Sequence, residues 1–79
     1  MSTDFYLLSK PNCPLCNEAL AQLHQLQLEE PIRLHWVDIS EQPELYEEYA
    51  LLVPVLVREA DDAELRWPFG EQLMEFVTV

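Results

Sequence analysis

Basic residues are scarce in this chain: Lys10, Arg33, Arg58 and Arg66 are the only four, and no two are adjacent. Binding a nucleic-acid backbone needs clustered lysine and arginine to neutralise phosphates, so that class of function is excluded. Fifteen Asp and Glu bring the formal net charge to -11. An anionic membrane surface repels such a chain, and a protein partner is expected to be basic or apolar rather than acidic. Glycine occurs once, which argues against a loop-rich or low-complexity segment. Long apolar runs are missing as well. The first, Phe5 to Leu8, is far too short for a membrane span or the core of an export signal, and Met1-Ser-Thr-Asp carries no positive charge. The cytoplasm is the expected compartment. Cysteine occurs twice, at Cys13 and Cys16. In a reducing compartment two cysteines three apart point to catalysis or metal binding rather than to a structural bridge.

What is present suffices for one core. Of the 79 residues 49% are hydrophobic, with two Trp, three Tyr and three Phe, and a single domain over 1–79, acting as a monomer, is expected. Phe5-Tyr-Leu-Leu reads as a strand buried on both faces. From Pro14 the period changes: Leu15, Ala19, Leu20, Leu23 and Leu26 mark an amphipathic helix reaching about Glu29, with a proline tolerated in its first turn. Pro31 ends it. Ile32 to Asp38 alternates as a second strand, and Ile39 to Pro43 is a connector. Leu45, Tyr46 and Tyr49 give a short helix over Pro43 to Ala50. Val53-Pro-Val-Leu-Val and Glu64-Leu-Arg-Trp form a hairpin across a polar turn, and Phe69, Leu73 and Phe76 or Val77 line a last helix. Trp36 and Trp67 are expected in the core, Trp67 alternatively at a substrate-facing lip with Pro68 and Phe69. His24 and His35 read as half-exposed packing residues. The order β-α-β-α-β-β-α makes an α/β fold with a mixed four-stranded sheet flanked by helices, since a helical crossover favours parallel pairing and a short turn forces antiparallel pairing.

Cys13-Pro-Leu-Cys16 falls where the first strand gives way to the first helix. Residues i and i+3 at a helix start lie roughly 5 to 6 Å apart, within the range a disulfide needs. The unpaired N–H groups and positive dipole end there stabilise a thiolate by roughly 0.3–2 kcal/mol. Lys10 adds a positive charge nearby. The net charge of -11 opposes this, but a screening length of about 8 Å leaves the local terms in control. Cys13 is therefore expected to have a lowered pKa and to attack, with Cys16 more buried and resolving the mixed disulfide. A structural role is weak: closing so short a loop contributes roughly 2 kcal/mol. Zinc needs more ligands, and His24 lies on the order of 12 Å beyond Cys16 along the helix.

The segment Ser9-Lys10-Pro11-Asn12-Cys13-Pro14-Leu15-Cys16 resembles the active site of glutaredoxins, and Val53-Pro54 resembles the cis-proline segment of the thioredoxin-fold superfamily. That resemblance covers nearly the whole chain and implies a thioredoxin/glutaredoxin-like fold. It also implies that Pro54 is cis beside Cys13, and that the backbone of Val53 pairs with an extended thiol substrate. Lys10, Leu15, Val53, Pro54 and Trp67 are the implied substrate contacts. The chain departs from glutathione-using members in two places: Leu15 stands where an aromatic residue is usual, and Trp67-Pro68-Phe69-Gly70-Glu71 replaces the Gly-Gly and Asp that hold glutathione. The function expected is thiol–disulfide exchange on a protein or small disulfide, with no bound cofactor and with glutathione as one candidate reductant. Two other readings stay open. One is an iron–sulfur carrier whose cluster two chains share through Cys13, glutathione completing the ligands. The other is a binding module that keeps the fold without turnover.

Overall fold

Phe5, Leu7 and Leu8 place the first strand at the centre of the sheet, where both faces are covered. The structure is a computed structural model and describes residues 3–78. Strand β1 (Asp4–Ser9) runs parallel to β2 (Arg33–Asp38), from Asp4↔Arg33 to Ser9↔Asp38. It runs antiparallel to β3 (Val55–Arg58), from Phe5↔Arg58 to Leu8↔Val55, and β3 pairs antiparallel with β4 (Ala63–Arg66). The order across the sheet is β2-β1-β3-β4. Helices α1 (Pro14–His24), α2 (Pro43–Tyr49) and α3 (Gln72–Thr78) complete the expected element order. Among the described residues no helix is long and apolar enough to cross a membrane.

The period-two alternation of the strands divides the core. Phe5, Leu7, Leu56 and Leu65 face one way and pack with Ala19 and Leu23 of α1, Leu73 and Val77 of α3, and Phe69. Leu8 and Val55 face the other way and join Ile39, Tyr49, Val53 and both cysteines. The site therefore belongs to a packed layer and is not an appendage to it.

The structure corrects several boundaries. Helix α1 stops at His24 and not near Glu29. Its last turn tightens, Gln25 N–H reaching both Ala21 O and Gln22 O, and Leu26 and Leu28 drop onto the core at alternate positions. Continuing the helix would have set Glu29 and Glu30 at its negative end. The connector after β2 contains a 3-10 turn, Ile39–Glu41, capped by Asp38, whose carboxylate accepts from Ser40 N–H at 2.9 Å. Phe69 is buried but precedes α3, whose buried face is Leu73 and Val77. Gly70 separates them at φ 58°, and a Cβ there would meet nothing within 4 Å, so the backbone conformation and not space calls for glycine. Trp36 is 45% exposed and not core, because it lies on β2, the edge strand. Trp67 is half-buried, edge-on to Phe69 with ring centroids 5.2 Å apart. His24 and His35 are both exposed, and His35 Nε2 lies 2.9 Å from Asp4 Oδ1.

Arg58 joins the hairpin to α3. Its guanidinium donates twice to Asp61, at 2.9 and 2.7 Å, and once to Phe76 O at 2.9 Å, while lying 4.6 Å from the Phe76 ring centroid. Asp61 also accepts from Ala63 N–H at 3.1 Å. The hydrogen bonds from Arg58, then that from Ala63, lower the Asp61 carboxyl from 3.8 to about 2. A depressed carboxyl pKa contributes stability in full above the unfolded value and loses it as pH falls through the folded one. Acidification from about pH 4 to about pH 2 should therefore lower the melting temperature less in Asp61→Asn than in the parent. Equal losses in the two proteins would show that the pair contributes nothing.

Candidate functional site

The turn between β1 and α1 is built by residues suited to each step. Pro11 and Asn12 leave the strand, and Asn12 takes φ 58°, a left-handed conformation that Asn tolerates better than most residues. Cys13 follows in extended geometry (φ -112°, ψ 99°) as the N-cap of α1, and Pro14 occupies the first helical position, where its missing N–H is no loss. The cap acceptor is a sulfur. Cys16 N–H donates to Cys13 Sγ at 3.2 Å, in the position where a serine or aspartate oxygen usually accepts. The two cysteines are joined as a disulfide, with Cα atoms 5.3 Å apart. No acidic side chain lies in the first turn of α1, so the positive end of the helix is left uncompensated. Cys13 keeps 8% of its surface exposed, whereas Cys16 has none.

Register brings the second segment to the same place. Carried beyond Leu8↔Val55, the β1/β3 pairing sets Pro54 and Val53 alongside Ser9 and Lys10. Val53 packs in one cluster with Cys13 and Cys16, and the Val53–Pro54 bond is cis. Arg66 lies opposite Val55, so Trp67 leaves β4 at this same end of the sheet, and its bond to Pro68 is also cis. Leu15, between the cysteines, is 44% exposed.

Lys10 directs its ammonium to Ala50 O at 2.8 Å. Ala50 is the C-cap of α2, so the lysine meets the negative end of that helix and ties the loop before Cys13 to the segment before Pro54. This contact has no sequence signature, because its acceptor is a main-chain carbonyl 40 residues away. Tyr49 carries no such signature either: its helical spacing marks it as packing, and only the fold brings it into the cluster of the cysteines. Its hydroxyl donates to Glu64 Oε2 at 2.7 Å, and that bond together with burial pushes the phenol up to about 12. Tyr49 stays protonated across the neutral range. Ser9 is the one buried polar or charged side chain among the described residues, so no carboxylate or imidazole lies buried behind Cys16. Among the same residues no group of three or more His, Cys, Asp or Glu is placed to hold a metal ion.

A sulfur capping a helix, with a second sulfur one turn behind it, suits a redox-type role for the pair. The sequence matches the Glutaredoxin-like domain (DUF836) over residues 4–78. The chain belongs to this glutaredoxin-like family. It is also similar to two solved structures. With protein XcR50 from X. campestris, solved by X-ray methods, it shares 31% identity over 91% of each chain, at a TM-score of 0.66. With protein Ne2328 from Nitrosomonas europaea, solved by NMR in solution, it shares 26% identity over 92% of this chain and 87% of that one, at a TM-score of 0.77. Comparison with curated proteins finds no match. The glutaredoxin-like chain has the thioredoxin-like fold, and its paired cysteines support a redox-type role.

The sulfur cap can be tested through stability. In the disulfide-free protein, Cys13→Ser keeps a cap acceptor and Cys13→Ala does not. The alanine variant should be less stable than the serine variant by about 1 kcal/mol in urea unfolding. Equal stabilities would mean that the Cys16 N–H gains nothing from its partner at position 13.

Proposed function

We propose that this glutaredoxin-like chain is a dithiol–disulfide oxidoreductase that reduces a protein or small disulfide. The observation that carries this reading is the Cys16 N–H aimed at Cys13 Sγ at 3.2 Å, which places one sulfur at a helix N-terminus with its partner fully buried behind it. An anion accepts such a hydrogen bond more strongly than a neutral thiol does, so the cap favours the Cys13 thiolate.

In the reduced protein the Cys13 thiolate attacks one sulfur of the substrate disulfide. A bond forms between Cys13 and that sulfur, the substrate S–S bond breaks, and the departing thiolate takes up a proton. Cys16 then loses its proton and attacks Cys13 Sγ, releasing the second substrate thiol, which is protonated in turn. The protein ends oxidised by two electrons as the Cys13–Cys16 disulfide and the substrate ends reduced by two. An external dithiol or a pair of glutathione molecules restores the starting state. Val53 offers its carbonyl ahead of Pro54 to an extended substrate, its N–H being bonded to Tyr49 O. Leu15 and Trp67 border the approach, and Lys10 holds the two site-forming segments together while adding positive charge to the loop.

Reduced protein supplied with dithiothreitol should reduce insulin or bis(2-hydroxyethyl) disulfide faster than dithiothreitol alone, and Cys13→Ser should abolish the gain. Cys16→Ser should instead accumulate a mixed disulfide on Cys13, visible by mass spectrometry. Alkylation of the reduced protein should modify Cys13 first, with a midpoint below the ordinary thiol value of about 8.5. Wild-type protein that reduces no disulfide under any donor, or faster alkylation of Cys16, would sink this assignment.

A further inference from the structure

Leu51 is 95% exposed, far more than any other large hydrophobic residue among those described. Single leucines on a surface are common and need no explanation on their own. The position of this one does. It sits between α2 and the Val53–Pro54 bond, in a turn held from both sides. Leu52 N–H and Val53 N–H both donate to Tyr49 O, at 2.8 and 3.0 Å, and Lys10 donates to Ala50 O at 2.8 Å. Tyr49 and Val53 are buried and Leu52 is half-buried, so the turn sends these side chains inward and Leu51 outward. The Lys10 contact ties this turn to the loop before Cys13, and Leu15, in the first turn of α1, is the other exposed leucine among the described residues. Two apolar side chains thus stand exposed on segments that adjoin the cysteines, Leu15 between them in sequence and Leu51 two residues before Val53, which packs with them.

Charge narrows what they can meet. Helix α2, which the Leu51 turn follows, exposes Glu44, Glu47 and Glu48 and has no basic residue. The whole chain adds a net charge of -11. Arg66, exposed at the end of β4, lies opposite Val55. The ammonium of Lys10 is turned to the end of α2. An anionic, polar tripeptide such as glutathione finds little here that matches it, whereas a cationic segment is drawn in by the field and an apolar side chain covers exposed leucine surface.

We infer that Leu51, with Leu15, is the specificity-determining apolar contact of the thiol site, and that it receives an extended, positively charged protein segment with an apolar residue beside its cysteine. This rests on the oxidoreductase reading and names its substrate class. The chemistry is the exchange already written, with the segment's disulfide as the two-electron oxidant and the Cys13–Cys16 dithiol as the reductant.

The test uses reduced full-length protein in single-turnover oxidation by three probes. They are the symmetrical disulfide of a Lys-Leu-Cys-Leu-Lys peptide, oxidised glutathione, and bis(2-hydroxyethyl) disulfide. Wild-type protein should be oxidised fastest by the cationic peptide, with an advantage that shrinks as salt is raised. In Leu51→Ser the ratio of the peptide rate to the bis(2-hydroxyethyl) disulfide rate should fall about fivefold. In Met74→Ser, which alters an exposed residue of α3, the ratio should not move. An unchanged ratio in Leu51→Ser, or oxidised glutathione as the fastest probe, overturns the inference while leaving the redox reading standing. So does a wild-type dimer that Leu51→Ser dissociates, since Leu51 would then serve a second copy of the chain. Failure of all three probes to oxidise the wild-type protein overturns the oxidoreductase reading itself.

Discussion

The hydrogen bond from Cys16 N–H to Cys13 Sγ is the constraint from which the rest of the site follows. Helix α1 needs an acceptor for the N–H groups of its first turn, and this chain offers a sulfur where most helices offer an oxygen. Pro14 removes one donor and fixes its own φ, and Asn12 turns the chain so that Cys13 arrives in extended geometry. Position 13 therefore serves structure and reactivity through one atom. A neutral thiol caps weakly and a thiolate caps well, so a proton lost from Cys13 strengthens the start of the helix that carries Cys16. A Cys13 thiolate and the start of α1 would thus stabilise each other, and the two effects are not separable by a substitution that removes the sulfur without replacing the acceptor.

The asymmetry between the two cysteines arises without a charged partner. Ser9 is the one buried polar side chain among the described residues, and it donates to Leu7 O at 3.3 Å within its own strand. The side chains packed with Cys16 are Leu8, Ile39, Val53, Val55 and Tyr49, whose phenol is held neutral by its bond to Glu64. Apolar surroundings raise the cost of a thiolate at Cys16, whereas the helix end lowers it at Cys13. Burial and backbone geometry thus set the two cysteines apart. On the reading proposed above, a proton leaving Cys16 finds no buried carboxylate to receive it among the described residues.

Much of this was readable before the fold was known, for reasons that mark where sequence reading works. Strand and helix periods persist over several residues, so Phe5–Leu8 and Leu15–Leu23 declare their elements, and the cysteine spacing declares its chemistry when it falls at a strand-to-helix junction. The errors lie where tertiary context decides. Leu26 continues the helical spacing of α1 but belongs to a chain already turning back to the sheet, and only the core shows that. Trp36 alternates correctly along β2, yet alternation does not say that the strand is an edge. Phe69 lies at helical distance from Leu73 but is reached before the helix begins. The tie between Lys10 and Ala50 uses a carbonyl, which every residue possesses, so no residue type could have announced it. Leu51 sits in a continuous apolar stretch with Leu52 and Val53, and composition alone cannot tell which of the three points outward.

Charge and reactivity act here over different lengths. The excess of carboxylates lies on the surface, and beyond about 8 Å at physiological salt its effect on any one sulfur is largely screened. The dipole end of α1 and the N–H of Cys16 act at contact, where screening does not reach them. A strongly acidic protein can therefore hold a thiolate without contradiction, because the local terms govern ionisation and the long-range field governs what approaches. On the reading proposed above, Glu44, Glu47 and Glu48 act on what approaches while the α1 cap acts on Cys13, and the hydrogen bond from Lys10 to Ala50 O is what ties the two elements together.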